Sequence, residues 1–380
     1  MPTPVIVDAA RTPYGRRRGA LSGCHPVTLL GGVQRDLLTR AGIEPSRIDE
    51  VIGGCVTQAG EQAGNVVRTA WLHAGLPETT GATTIDSQCG SAQQSVHLVA
   101  AQIAAGTIEA GLACGVEVMS RIPLQANIGE GIGRPRPEDW SLDLPTQYVA
   151  ADRIARRRGF TRTDLDAFGL RSQQRAAAAW EQGRIERQIL PVSLPDGTVV
   201  TRDEGLRDTS MAALAGLAPI LDGGLHTAGT ASQISDGASA AVLVEQRVAR
   251  DLGLRPRARI LAQCLIGAET RYLLDGPVQA AYRLLERTGL GIGDIDVFEV
   301  NEAFAAVPMS FARVHGLDRL DESRLNVNGG AIALGHPVGS SGIRLIATVL
   351  DELERTGATI GMVAVCAGGA MATGMLIERM

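Results

Sequence analysis

The chain has 380 residues, of which 45% are hydrophobic and 3% aromatic, and its formal net charge is −5. This length allows a large core and predicts two or three domains. The net charge gives no general attraction to nucleic acid, and no apolar run is long enough to span a membrane.

The first fifteen residues contain no charged region followed by an apolar run, so we expect no signal peptide. The six cysteines are scattered and show no short metal-ligand spacing, which predicts no metal site and free thiols in a reducing bacterial cytoplasm. All 36 basic residues are arginine, as a GC-rich genome favours. Any phosphate must therefore be bound by arginine or by backbone amides.

Two segments of the chain align without a gap and predict an internal duplication. Residues 37–54 and 284–301 share two leucines, an arginine, a glycine, an isoleucine and an aspartate at matching places. Each segment predicts the end of a helix, a glycine stop, a short loop and a buried strand. A strand-like segment precedes each copy, at 4–10 and at 257–267.

Two later units repeat a helix–glycine–strand order. Their predicted helices are 90–106 and 339–357, and their predicted strands are 111–118 and 360–369. Together these elements predict a duplicated α/β domain with mostly parallel sheets under helices.

Residues 119–235 match neither copy and predict an insertion that covers a substrate, with helices at 147–158 and 164–182. A surface region without a function is the alternative interpretation. The predicted boundaries are 1–118 with 236–256 for the N-terminal half, 119–235 for the inserted loop domain and 257–380 for the C-terminal half.

Cys89 is the second residue of the first chemical motif, QCGSAQQ, and lies at the start of the helix predicted for 90–106. Unpaired amides at a helix start lower the pKa of a thiol and can stabilise an oxyanion. Taken alone, a buried packing cysteine is the alternative.

His336 lies in the glycine-rich segment NVNGGAIALGHPVGSSG, where Pro337 suits the first position of a helix. In the duplicated pattern this helix start corresponds to the position of Cys89. The duplication therefore predicts that a cysteine and a histidine meet between the halves, as a nucleophile and its base. A loop histidine with one structural hydrogen bond is the alternative.

Two further polar positions close predicted strands of the second copy. Cys366 precedes a glycine pair in VAVCAGG, and Asn301 with Glu302 ends EVNE. The carboxyl ends of strands are where α/β folds place their chemistry.

Four separate motifs in one order resemble the thiolase family: QCGSAQQ, VNEAFAA, NVNGGAIALGHPVGSSG and CAGGAMA. Shorter matches, including VDAARTPYG, GVEVMSRIP, DEGLR and TAGTASQISDGASA, extend over nearly the whole chain. The resemblance implies a five-layered αβαβα fold of two duplicated halves with an inserted loop domain.

The resemblance also implies the role of each motif. Cys89 would carry the acyl group as a thioester, and His336 would take its proton and later hold a thioester oxygen. Asn301 would anchor a water in that oxyanion hole, and Cys366 would move the proton at the α-carbon of acetyl-CoA. The backbone amides of Cys89 and Gly368 would form a second oxyanion hole, and the kinetics would be ping-pong.

The coenzyme A contacts implied by the resemblance are Arg207 in DEGLR, against the nucleotide, and Ser232 in TASQISD, on the pantetheine arm. An exposed arginine without a ligand is the alternative for Arg207. Phe304 would line the acyl pocket. Coenzyme A would be a substrate, with no permanently bound cofactor and no metal.

The chain departs from the family at two places. Acetoacetyl-CoA-specific members have a His-Met pair where Thr146 and Gln147 stand, and many members have CxGGGMG where this chain has CAGGAMA. The first difference favours Gln147 beside a longer, branched or steroid-derived acyl group, and the second retains Gly368.

The sequence thus predicts a thiolase that cleaves 3-oxoacyl-CoA with coenzyme A, or runs the reverse condensation. The alternatives are an acetoacetyl-CoA-specific acetyltransferase, a ketoacyl-synthase-type condensing enzyme and a non-catalytic lipid-binding member of the fold. The resemblance further implies a homodimer or homotetramer, with residues 120–142 as the tetramer contact. We expect no nucleic-acid partner and no membrane partner.

Overall fold

The computed structural model describes residues 2–129, 131–317 and 322–380. Residue 130, in the predicted tetramer contact, and residues 1 and 318–321, in the two predicted halves, lie outside the described residues. Within the described part of the chain, no helix is both long enough and apolar enough to cross a membrane.

The structure contains twelve described strands. They are β1 Pro4–Arg11, β2 Gly15–Arg16, β3 Glu50–Gly54, β4 Gly81–Ile85, β5 Ala110–Val118, β6 Val192–Ser193, β7 Val199–Val200, β8 Ser235–Glu245, β9 Ala258–Gly267, β10 Val297–Val300, β11 Ile360–Ala367 and β12 Met371–Arg379.

Eleven α-helices lie between these strands in the described residues. They are α1 Pro26–Ala41, α2 Val66–His73, α3 Ser91–Ala105, α4 Gln147–Arg158, α5 Arg162–Glu181, α6 Met211–Ala215, α7 Gln246–Asp251, α8 Gly276–Thr288, α9 Ala306–His315, α10 Ala331–Leu334 and α11 Ser341–Thr356.

The strand order repeats in the two halves. The N-terminal strands run in the order β4-β3-β5-β8-β1, and the C-terminal strands in the order β10-β11-β12-β9. A parallel bridge from Phe298 to Leu325 lies beside β10, where β4 lies in the first half. The halves meet through two residue pairs between β1 and β9. This common order is the structural form of the duplication predicted from the sequence.

The strand directions differ from the mostly parallel sheets expected from the sequence. β3 is parallel to β4 and β5, but β8 is antiparallel to both β5 and β1. In the second half β10 and β11 are parallel, whereas β12 is antiparallel to its two neighbours. The reversal arises because β8 returns after the long insertion and β12 follows β11 through a tight turn.

Five layers result from helices on both faces of each half. α1 and α2 cover the outer face of the N-terminal strands, and α8 and α9 cover that of the C-terminal strands. α3 and α11 pack against each other between the two sets of strands, in a core built from both halves. The fold is therefore the five-layered αβαβα arrangement with an inserted loop region.

Glycines allow the two halves to approach closely where β5 meets the segment just before α11. A Cβ on Gly115 of β5 would lie 2.1 Å from the carbonyl oxygen of Gly339, and one on Gly339 would lie 2.6 Å from Glu117 Oε2. Because a real side chain cannot occupy such space, these positions require glycine. This contact places the segment that carries His336 against the N-terminal half.

The helix predicted to begin near Pro337 begins four residues later, at Ser341. Pro337 instead lies in a turn, where its carbonyl oxygen accepts the backbone N–H groups of Ser340 and Ser341. His336 is therefore five residues before its helix, whereas Cys89 is two residues before α3. The two positions correspond in topology but not in distance from the helix.

Candidate active site

A cavity of about 910 Å³ lies between the halves and the inserted segment. Seven of the nine predicted site residues line it: Cys89, Gln147, Arg207, Ser232, Phe304, His336 and Gly368. Asn301 and Cys366 are buried, and they lie behind the cavity wall in contact with these residues. The structure therefore brings together motifs that are separated by almost three hundred residues of sequence.

Cys89 is held by a tight loop between β4 and α3. Gln88 before it has a φ of +53°, a backbone conformation that residues other than glycine rarely adopt. The backbone N–H of Gln88 donates to Asp86 Oδ1 across 2.7 Å, and the backbone N–H of Ser91 donates to the Gln88 carbonyl. A strained residue fixed in this way beside a nucleophile orients the nucleophile toward the cavity.

The Cys89 thiol is protonated in the free protein. Burial raises the pKa of Cys89 to about 12, and the backbone N–H of Gly368, which points to the sulfur, acts in the opposite direction. The lowered pKa expected from the helix start is therefore wrong for the free protein, because loss of solvation outweighs the helix end. The thiol needs a base to become a nucleophile.

His336 has the properties of that base. Its Nδ1 lies 2.6 Å from Ser341 Oγ, whose own hydrogen is donated to the Pro337 carbonyl. Nδ1 must therefore donate, which leaves a lone pair on Nε2. Burial lowers the pKa of His336 to about 3, and the guanidinium of Arg344 lowers it further. The imidazole is therefore neutral and has a lone pair on Nε2, although the lowered pKa makes it a weaker base than a free imidazole.

Asn301 and Cys366 complete the buried side of the site. The amide nitrogen of Asn301 lies 3.2 Å from His336 Nε2, while its amide oxygen has no hydrogen-bond partner among the described residues. Burial raises the pKa of the Cys366 thiol, and the neighbouring Cys89 raises it further. Asn301 and Cys366 thus lie behind the cavity wall, at the ends of the adjacent strands β10 and β11.

Glu117 connects the loops of the two halves behind this site. It is fully buried, and its carboxylate accepts the backbone N–H groups of Val56, Thr57 and Gly339 at 2.9, 3.0 and 3.1 Å. The amide of Gln62 donates to it as well, at 2.8 Å. This carboxylate thus fixes Val56 and the segment after His336, both of which border the cavity.

The outer part of the cavity has two kinds of wall. Arg207 is exposed, and its guanidinium reaches only the carbonyl of Ala228, at 3.5 Å, among the described residues. Ser232 is half-buried and is fixed by its backbone bond to Ala303. Phe304, which follows Ala303 and forms a backbone bridge with Ala231, packs edge-on against Tyr148, with ring centroids 5.6 Å apart.

Three residues of the site, Ser341, Glu117 and Tyr148, were not predicted from the sequence. Each lies within or beside a quoted motif: Ser341 in HPVGSSG, Glu117 in GVEVMS and Tyr148 directly after Gln147. No pattern in one sequence distinguishes them from other residues of these motifs. Their roles depend on contacts between segments that are distant along the chain.

No metal site accompanies these residues within 2–129, 131–317 and 322–380: the described His, Cys, Asp and Glu side chains form no group of three or more placed to hold an ion. All six cysteines are free thiols. The chemistry available is therefore that of a thiol, a neutral imidazole, a second thiol and backbone amides.

The chain matches two domains of one protein family over nearly its whole length. The sequence model of the thiolase N-terminal domain matches residues 4–247, and that of the thiolase C-terminal domain matches residues 254–379. The steroid 3-ketoacyl-CoA thiolase FadA6 of Mycobacterium tuberculosis is 42% identical over 385 residues, which cover 99% of this chain and 94% of that protein.

Two further relatives agree. A 3-ketoacyl-CoA thiolase of Shewanella denitrificans is 38% identical over 99% of both chains. The crystal structure of the Bacillus anthracis acetyl-CoA acetyltransferase superposes with a TM-score of 0.91, at 34% identity, over 100% of this chain and 99% of that chain.

Proposed function

The chain belongs to the thiolase family and is an acyltransferase with thiolase function, and we propose which of its residues perform each step. Thiolases use coenzyme A as a substrate. The acetoacetyl-specific, ketoacyl-synthase-type and non-catalytic alternatives are not favoured by the thiolase relatives. The direction that we propose is thiolysis of a 3-oxoacyl-CoA to acetyl-CoA and a shortened acyl-CoA.

The first half-reaction forms an acyl thioester on Cys89. The Cys89 proton passes to His336 Nε2, and the sulfur attacks the 3-oxo carbon of the substrate. The bond between C2 and C3 breaks, and the electron pair left on C2 takes the proton of the Cys366 thiol, which gives acetyl-CoA. The bond from Nδ1 to Ser341 Oγ supports this assignment, since it leaves the lone pair on Nε2. The Asn301 amide, which donates to that lone pair in the free protein, must give way to the Cys89 proton.

The second half-reaction releases the product. The thiol of coenzyme A gives its proton to the Cys366 thiolate and attacks the thioester carbon. The tetrahedral oxyanion is held by the backbone N–H groups of Cys89 and Gly368. The N–H of Gly368 already points to the Cys89 sulfur, which supports this oxyanion hole. Cys89 leaves as a thiolate and recovers its proton from His336.

We propose that coenzyme A enters the cavity past Arg207 and Ser232. Both residues line the cavity, and the exposed guanidinium of Arg207 makes one bond of 3.5 Å, to the Ala228 carbonyl, so its other N–H groups can bind a phosphate. The unpartnered amide oxygen of Asn301 suits a bound water that donates to it. No permanently bound cofactor takes part.

The acyl pocket accepts groups larger than acetoacetyl. Gln147 replaces the methionine of acetoacetyl-specific members, and the cavity volume is about 910 Å³. The M. tuberculosis relative carries the name steroid 3-ketoacyl-CoA thiolase. A thiolysis assay with acetoacetyl-CoA, longer linear 3-oxoacyl-CoAs and a bulky ring-derived one tests this. Greater kcat/KM for the bulky or longer substrates is expected, whereas a preference for acetoacetyl-CoA would contradict it.

We further propose that the protein acts as a cytoplasmic homodimer or homotetramer. β4 lies at the end of the N-terminal strands with β3 as its one described partner, so its outer backbone groups are available to a second copy. Ile132, Trp140 and Leu142 are exposed and support the tetramer contact within 120–142. Light scattering measures the mass, and Thr83→Pro in β4 should give monomers.

A further inference from the structure

A second chamber opens from the active-site cavity, with a volume of about 1270 Å³. The two spaces share nine lining residues, among them Arg17, Gln88, Tyr148 and Gly368, so they are continuous. The second space, which we call the side chamber, is bordered by neither Arg207, Ser232, Cys89 nor His336. Arg18 borders only the side chamber, whereas Arg17 borders both spaces and lies where they join.

The walls of the side chamber combine apolar and cationic groups. Its charged lining residues are Arg17, Arg18, Arg136 and Asp86, which gives three guanidinium groups and one carboxylate. Leu144, Leu273 and Met371 provide apolar surface on the same walls. This excess of positive charge is unexpected in a chain with a net charge of −5.

The loop of residues 16–20 carries Arg17 and Arg18, whose side chains are exposed, and its backbone is held by hydrogen bonds to side chains of other segments. Glu204 Oε2 accepts the backbone N–H groups of Arg16 and Ala20 at 3.2 and 3.0 Å, so its carboxylate binds the backbone of the loop. Arg18 has a φ of +59°, and its N–H donates to Ser120 Oγ across 3.1 Å. The loop thus holds the two arginines at the chamber.

The guanidinium groups of Arg17 and Arg18 are available to a ligand. Neither makes an ion pair or a side-chain hydrogen bond with any described residue. Asp86, the acid in the chamber wall, already accepts the backbone and side-chain N–H groups of Gln88. Unpaired arginines on a partly enclosed wall are suited to a carboxylate.

We propose that the side chamber binds a carboxylate at the far end of the acyl group, held by Arg17 and Arg18. The preferred substrate class is then a 3-oxoacyl-CoA whose chain ends in a carboxylate, with apolar carbons along Leu144 and Leu273. This proposal rests on the proposed thiolase reaction. It adds a preference for a negative charge at the far end of the acyl group, which the reaction itself does not require.

The test compares two matched substrates: a 3-oxoacyl-CoA that ends in a carboxylate, and the methyl ester of the same compound, over a series of chain lengths. In the unaltered protein, kcat/KM for the acid should exceed that for the ester by about tenfold, the order expected of a charge-assisted hydrogen bond. Arg17→Gln and Arg18→Gln should each reduce this ratio, and the double variant should abolish it. Arg35→Gln, an exposed arginine on α1, is the control and should leave the ratio unchanged.

Turnover of the ester separates this proposal from the proposed reaction, because it needs the thiolase chemistry and not the charge. Equal kcat/KM for acid and ester in the unaltered protein would overturn the carboxylate site. So would an equal loss for both substrates together with a raised KM for coenzyme A in the arginine variants, since the arginines would then bind coenzyme A phosphates.

Discussion

The amide nitrogen of Asn301 donates to Nε2 of His336 across 3.2 Å, so a residue at the end of β10 orients the histidine of a separate loop. The other ring nitrogen donates to Ser341 Oγ at 2.6 Å. The ring is therefore held from both sides in one tautomer, and His336 lines the same cavity as Cys89.

Replacement of Ser341 by alanine tests the importance of this orientation. The imidazolium formed during the reaction loses its hydrogen-bond acceptor at Nδ1, so kcat should fall by about ten- to a hundredfold while KM changes little. Steady-state thiolysis measures both constants. Ser340→Ala is the matched control, because its hydroxyl contacts Ser239 and Tyr14 and not the histidine; equal kcat losses in the two variants would contradict the account.

Glu117→Gln should destabilise the protein, because the new amide N–H₂ faces backbone donors that the carboxylate now accepts. The expected loss in the free energy of unfolding is about 1–3 kcal/mol, measured by urea denaturation. In Glu61→Gln, which removes a surface ion pair with Arg121, the loss should be about 0–1 kcal/mol. Equal losses for the two variants would show that the buried carboxylate does not connect the halves.

The pH dependence of Cys89 alkylation follows from its raised pKa. Burial raises the pKa of Cys89 to about 12, so the thiolate fraction in the free enzyme is small at neutral pH and increases with pH. The rate of alkylation by iodoacetamide, followed at Cys89 by peptide mass spectrometry, should rise about tenfold per pH unit between about pH 6 and 9. A rate that is already constant above pH 7 would mean that a thiolate–imidazolium pair exists before substrate binds.

Much of the fold was predictable because the same order of helix, glycine and strand patterns occurs twice in the sequence. The helix predicted for 147–158 is α4, and the strand predicted for 111–118 is β5, one residue longer at its start. Glycine stops after α1 and α8 adopt the positive φ that the repeat requires. The antiparallel directions of β8 and β12 were not predictable, because pairing over such separations leaves no local pattern. The domain boundaries drawn from the sequence stay a prediction.

The sequence motifs predicted which catalytic residues lie in the site, but not the hydrogen bonds that hold them in place. Cys89, His336 and Gly368 lie together because the duplication places equivalent loops side by side. Ser341 and Glu117 were missed, since a hydroxyl or a carboxylate acquires its role only from the loop that packs against it. The expected direction of the Cys89 pKa was wrong because a helix end is visible in sequence, whereas the depth of burial is not.

Partial reactions should distinguish the role of Cys89 from the role of Cys366. Cys366→Ala retains Cys89 and its oxyanion hole, so it should still accept an acetyl group from acetyl-CoA, although thiolysis and condensation are lost. Isotope exchange at C2 of acetyl-CoA should also disappear, because Cys366 supplies and removes that proton. Retained C2 exchange in this variant would assign the proton transfer to another group.

Mass spectrometry of the acylated enzyme tests the central claim most directly. After brief mixing with a 3-oxoacyl-CoA in the absence of free coenzyme A, the protein should gain the mass of the shortened acyl group, and peptide analysis should place that mass on Cys89. Cys89→Ala should show neither the adduct nor thiolysis, while it remains folded. An adduct on Cys366, or thiolysis that persists in Cys89→Ala, would contradict the assignment of Cys89 as the nucleophile.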